Sequence, residues 1–94
     1  MPAPTLTDFE SRARAAGFDE VLERRWPADA IVDTHTHPFD VLAIVTEGEM
    51  WLACDGTTRH LTPGDEFSLL RNQPHAERYG PAGAVYWAAR RHRG

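Results

Sequence analysis

Two histidines, His35 and His37, stand one residue apart in the stretch Asp33-Thr34-His35-Thr36-His37-Pro38-Phe39-Asp40. On an extended strand, side chains alternate between faces, so residues i and i+2 point the same way. Neutral imidazole is the commonest metal ligand in proteins, and a same-face pair is half of a metal site. A third histidine, His75, follows Pro74 much later in the chain. On its own strand, Glu77 and Tyr79 share its face and would line the same pocket. Glu77 is the one acid or base suggested there, against the plainer reading of a salt bridge with an arginine such as Arg24. An acid or base must reach a substrate proton, and the sequence does not supply that geometry. The plainer reading of the histidines is a set of hydrogen-bonded interior or rim side chains. His60, beside Arg59 near a hairpin, reads as exposed, and His92 as part of a tail.

The elements that must position these groups are short. Thr7 or Asp8 is expected to cap a helix, with Glu10 at capping-box spacing from Thr7, and Gly17 is expected to end it. Phe9 and Ala13 share one face of that helix. Strands are predicted over 20–26, 30–37, 41–46, 50–54, 57–61, around Phe67 and Leu69, over 75–79 and over 84–90. The turns between them carry Pro27-Ala28-Asp29, Glu47-Gly48-Glu49, Asp55-Gly56, Thr62-Pro63-Gly64-Asp65, Arg71-Asn72-Gln73-Pro74 and Pro81-Ala82-Gly83. In the second strand the phase places Ile31, Asp33, His35 and His37 together, opposite Val32, Thr34 and Thr36. Eight or so strands at even spacing predict an all-β sandwich or barrel. No helical pattern follows residue 17, which excludes a Rossmann unit. The scattered glycines do not form a phosphate loop.

Ninety-four residues, 41% apolar and 26% charged, describe one globular domain. All ten basic residues are arginine, against fourteen acidic residues, for a net charge of −4. The one basic cluster, Arg90-Arg91-His92-Arg93, reads as a frayed tail, and without a basic stripe nucleic acid is not an expected partner. A single cysteine, Cys54, excludes an intrachain disulfide framework and a Cys-rich zinc site; it reads as a small buried hydrophobe. No apolar run is long enough to span a membrane, and no signal peptide is evident at the N-terminus, so a cytoplasmic location is expected.

In order and spacing, these turns and histidines resemble the cupin superfamily. That family's first motif runs glycine, five residues, His-x-His, three or four residues, glutamate, six residues, glycine. Here Asp29 stands at the first glycine, His35 and His37 match, Val41 stands at the glutamate, and Gly48 matches the last glycine. The second motif runs glycine, five residues, proline, one residue, glycine, two residues, histidine. Gly64 opens it, Leu70 replaces the proline, Asn72 replaces the glycine, and His75 closes it. Tyr79 stands where the family often has asparagine. The likeness covers about residues 20–90 and extends to small bacterial one-domain cupins, through His-Thr-His-Pro-Phe-Asp and Pro-His-Ala-Glu-Arg-Tyr-Gly.

The resemblance implies a double-stranded β-helix (jelly-roll) barrel over residues 20–90, preceded by an arm and short helix (1–19) and followed by a basic tail (91–94). It implies a divalent transition metal (Zn, Fe, Ni, Mn or Cu) on His35, His37 and His75; Glu77 and Tyr79, which share the face of His75 on its strand, are the catalytic candidates. Val41 cannot replace the family's glutamate ligand. Asp40 is one residue out of phase and suits a turn-capping role better, while Asp33 could accept a hydrogen bond behind His35. The function expected is a metal-dependent dioxygenase, isomerase or lyase acting on a small oxygenated molecule. The alternative is a non-catalytic binding or sensing module, and whether the chain is an enzyme stays open. Trp26 and Trp51 are expected outside the sheets or at a subunit contact. Trp87 and Tyr86 are expected in the wall, and a homodimer is expected.

Overall fold

A computed structural model describes residues 5–92. One helix and six strands follow in order: α1 (Leu6–Ala15), β1 (Glu20–Trp26), β2 (Ile31–His35), β3 (Asp40–Cys54), β4 (Thr57–Leu61), β5 (Glu66–Leu69) and β6 (His75–Arg91). The eight strands predicted become six because two pairs merge. β3 runs through Gly48, and β6 runs through Gly80-Pro81-Ala82-Gly83.

The sequence signals read there as turns are bends inside long strands. Gly48 has φ +73 and Gly83 has φ +71. A Cβ on Gly48 would lie 2.1 Å from the Gly83 carbonyl oxygen, and one on Gly83 would lie 2.2 Å from the Trp26 carbonyl oxygen. Only glycine allows that backbone approach. The β3–β6 ladder shifts register between Val45 and Glu47 and again between Gly48 and Met50. Pro81, which cannot donate to a ladder, falls in the stretch between the paired segments.

The bend divides the sheet into two halves. In the first half, β1 pairs with residues 84–90 of β6, which pair with the start of β3, which pairs with β5. In the second, β2 pairs with residues 75–78 of β6, which pair with the end of β3, which pairs with β4. Both halves turn side chains into one core: Val41, Ala43, Val45, Phe67, Tyr86 and Ala88 from the first, Met50, Leu52, Leu61 and Tyr79 from the second.

The result is an all-β, jelly-roll-like sheet with a short N-terminal helix, and it corrects the barrel expected from the sequence. The path β1-β6-β3-β4, with β2 on β6 and β5 on β3, leaves edges that no ladder joins among the described residues. Closure needs the edge strands at hydrogen-bonding distance, about 4.8 Å. Here side chains stand between the halves instead, among them Trp26 of the first stacked on Tyr79 of the second at 5.0 Å between ring centroids.

Helix α1 covers the outside of the first half. Its cap is Thr5, whose hydroxyl accepts from the Asp8 N–H at 3.1 Å, so the capping box expected at Thr7 is displaced by two residues. Phe9 and Ala13, both buried, pack on Ile44 and Ala89, with Trp87 and Phe18 around them. Trp87 is thus covered by the helix. Trp26 also departs from expectation: it turns inward and stacks on Tyr79 at 5.0 Å. Trp51 does lie on the outer face, between His60 and Arg78.

The expected tail is partly strand. Arg90 and Arg91 belong to β6, Arg91 pairs with Asp40 at 3.1 Å, and the His92 N–H donates to Asp19. Residues 1–4 and 93–94, part of the arm and tail read from the sequence, lie outside the described residues. No helix among those described is long and apolar enough to cross a membrane.

Candidate metal centre

The second half-sheet carries the site. Ile31 pairs with Arg78, Val32 with Glu77, and His35 with His75. Three residues of β2 therefore match two steps of β6, a β-bulge at Asp33-Thr34. The bulge overturns the strand phase read from alternation. Ile31 faces outward and is 72% exposed, while Val32 packs against the core on the same side as His35. It also sets His35 directly opposite His75. His37 follows the end of β2, with its ring stacked on Phe39 at 4.8 Å.

One ligand atom from each of His35, His37 and His75 lies within 4.8 Å of the others. The three histidines expected from opposite ends of the domain thus converge. His75 is buried and the other two are half-buried, so the cluster opens toward the mouth on the His35–His37 side. The hollow beside it, walled by His37, Phe39, Val41, His75, Glu77 and Tyr86 among others, holds about 30 Å³. That volume suits an ion or a water-sized group. Larger hollows are open grooves on the surface: one of about 370 Å³ borders Glu77, one of about 380 Å³ borders His75, and one of about 360 Å³ lies under α1.

The hydrogen bonds fix what the rings present. Nδ1 of His35 lies 2.8 Å from the Asp33 carbonyl oxygen, and Nδ1 of His75 lies 2.9 Å from the Gln73 carbonyl oxygen. A carbonyl can only accept, so each Nδ1 carries the proton and donates. Each Nε2 is then a lone pair turned to the cluster, the tautomer a metal requires. The acceptor behind His35 is the backbone of Asp33 and not its carboxylate, as the sequence had suggested. His37 is held below the usual imidazole range, first by burial and then by the neighbouring His35 and His75, which also favours the neutral ligand form. The residues fit a divalent transition metal: three neutral nitrogen donors, two of them oriented from behind.

Glu77 is buried beside this cluster. Its Oε2 lies 3.5 Å from His35 Nε2 and 3.8 Å from His75 Nε2. Its Oε1 accepts from the Tyr79 hydroxyl at 2.5 Å. Tyr79 is 1% exposed, and burial, then Tyr86 and Glu77, push its phenol far above the ordinary range, so it stays a donor. Tyr79 touches the site through Glu77. Arg24 lines the hollow, with its guanidinium over the Trp26 ring, and no ion pair joins it to Glu77.

Asp40 points elsewhere. It accepts the Arg71 N–H at 2.8 Å and pairs with Arg91, which anchors the loop before His75. The Asn72 N–H donates to the His37 carbonyl at 2.7 Å, tying the two motif loops together. Asn72 and Asp29 stand where the family has glycine, and both take positive φ, +63 and +57. Asn and Asp tolerate that region better than other side chains, so these two departures leave the backbone path intact. The carbonyls behind the rings, the Phe39 stack and the Asn72 tie have no sequence signal beyond the motifs themselves.

Comparison with known proteins agrees with this fold. The AraC-like ligand binding domain family matches residues 19–90. KdgF from Halomonas sp. is 23% identical, with a TM-score of 0.66 over 78% of this chain and 68% of that one. A Rhizobium leguminosarum protein of unknown function is 22% identical, with a TM-score of 0.72 over 97% of this chain and 96% of that one. The DMSP lyase DddQ from Ruegeria pomeroyi is 26% identical, with a TM-score of 0.65 over 76% of this chain; the match spans 36% of the lyase chain. No curated protein matches the chain. With its two motif histidine sets joined on one jelly-roll-like sheet, the chain shares its fold with solved cupin structures and belongs to the AraC-like ligand binding domain family.

Proposed function

We propose that the chain is a metal-dependent enzyme acting on a small oxygenated organic molecule, in the lyase or isomerase class. The observation that carries this reading is the convergence of His35, His37 and His75, with His35 and His75 donating from Nδ1 backward to carbonyls and turning Nε2 inward. A divalent metal bound there would act as a Lewis acid, polarising an oxygen of the ligand. The chain's residues do the rest. His35 and His37 are half-buried and leave the site reachable, and the hollow beside it is small enough to take only an ion or a water-sized group. Glu77 sets a carboxylate beside the histidines, and Tyr79 fixes its orientation. Proton-transfer chemistry is favoured over oxygen chemistry by the structural likeness to the DMSP lyase DddQ.

A second reading, a non-catalytic binding or sensing module, is favoured by the description of the matching family as ligand-binding. NMR separates the two when metal-loaded protein is mixed with a panel of small hydroxy acids and acyl esters. New product resonances support the enzyme. Line broadening without turnover of any member supports the module. A homodimer remains part of the proposal, supported by the unpaired sheet edges and exposed Ile31. Sedimentation equilibrium tests it: twice the 10.6 kDa chain mass supports it, and the single mass rejects it.

A further inference from the structure

We infer that Glu77 is the fourth protein ligand of the metal, supplying from β6 the carboxylate that Val41 cannot supply from β3. This rests on the reading that His35, His37 and His75 bind a divalent cation. Val41 and Glu77 line the same small hollow as His37 and His75. A carboxylate is thus present on the wall of the hollow, carried by a different strand.

The geometry of the facing atoms suits a cation there. Both His35 and His75 donate from Nδ1 to backbone carbonyls, so in the neutral rings the nitrogens facing Glu77 are lone pairs. Glu77 Oε2 lies 3.5 Å from one and 3.8 Å from the other. With both imidazoles in the neutral form that ligates metals, three acceptor atoms face one gap, an arrangement that a bound cation satisfies. Two donors bound about 2.1 Å from a tetrahedral ion stand about 3.4 Å apart, close to both separations. The second oxygen, Oε1, is taken by the Tyr79 hydroxyl. That leaves Oε2 as the single metal-facing atom, held from behind as ligating carboxylates are. Tyr79 is therefore a positioning residue for Glu77.

The inference also restores the charge of the site. With Glu77, three neutral nitrogens and one anion surround a divalent ion, the donor set that the replacement by Val41 removes from the first motif.

The test is metal affinity of tag-free protein, measured by competition with a chelator for Zn²⁺ at pH 7.5. Wild type and Glu77→Gln are compared, with circular dichroism of the metal-free forms showing that both fold. Glu77→Gln is expected to weaken Zn²⁺ binding by about 100-fold. Affinity within about threefold of wild type would overturn the inference while leaving the three-histidine site standing. Absence of Zn²⁺ binding by wild type would overturn the metal reading and the inference together. Should Glu77→Gln fail to fold, the wild-type protein gives the same answer by ¹³C NMR of its glutamate carboxyls. Zn²⁺ is expected to move the Glu77 resonance more than that of any other glutamate; an unmoved Glu77 signal in a Zn²⁺-bound protein overturns the inference.

Discussion

The two halves of the folded sheet share β3 and β6 but do different work. The first half faces the core with Val41, Ala43, Val45, Phe67 and Ala88 and is sealed outside by Phe9 and Ala13 of α1. The second half, on the same two strands, faces inward with His75, Glu77 and Tyr79, beside His35 across the ladder. No helix among the described residues covers its outer surface, where Ile31, Arg78, Trp51 and His60 form a cross-strand row. One half is wall on both faces, while the other holds polar groups that only a bound cation or their mutual hydrogen bonds can satisfy. A single pair of long strands thus separates stability from chemistry, with the glycine bend between them.

This division predicts different phenotypes for substitutions in the two halves. The largest effect belongs to the site half. His75→Ala should weaken Zn²⁺ binding by at least about 1,000-fold, measured by chelator competition, while the metal-free fold survives by circular dichroism. In the wall half, Phe9→Ala should cost about 3–4 kcal/mol of stability in urea unfolding. It should leave the Zn²⁺ affinity of the folded protein unchanged, and a large loss of affinity would dissolve the distinction. At the bend, Gly48→Ala meets positive φ and a carbonyl in the space its Cβ needs. A loss of about 3 kcal/mol is expected, carried by both halves together.

Two smaller effects depend on pH. His37 has a folded-state pKa below its unfolded value of about 6.5, through burial and then the neighbouring imidazoles. Its contribution to metal-free stability is therefore full above that value and falls as the unfolded chain takes up the proton below it. His37→Gln should flatten this slope below about pH 6.5. Asp40 is held below the usual carboxylate range by the Arg71 N–H, then by the Arg91 and Arg71 side chains, against the opposing effect of burial. Asp40→Asn should be less stable than wild type at neutral pH, and the difference should shrink as pH falls through about 3.8. Its Zn²⁺ affinity should stay close to wild type, since Asp40 faces Arg71 and Arg91.

Much of this was readable from the residues. The period-two placement of His35 and His37, and the spacing from Gly64 to His75, signalled one site through a family resemblance. Asp55-Gly56 marked the β3–β4 hairpin, and Glu20–Trp26 appeared at its observed boundaries. What alternation cannot show is an inserted residue. The bulge at Asp33-Thr34 reversed Ile31 and kept His35 inward, and nothing in the composition of that stretch signals it. Glycine was misread for a related reason. A positive φ serves a turn or a bend equally well, and only the strand on the far side of Gly48 decides between them. Barrel closure depends on hydrogen bonds between distant edges, which no local pattern encodes. Trp26 was placed outside by its position on an edge strand, whereas its ring turns in to stack on Tyr79 and to donate from Nε1 to the Tyr86 hydroxyl.

The central claim is that the chain binds one divalent transition metal through its three convergent histidines. Calorimetric titration of tag-free protein with Zn²⁺ at pH 7.5 tests it directly. One ion per chain, with binding lost in His35→Ala, is the predicted result; a wild-type protein that takes up no ion, or a His35→Ala protein that binds as wild type does, would contradict it.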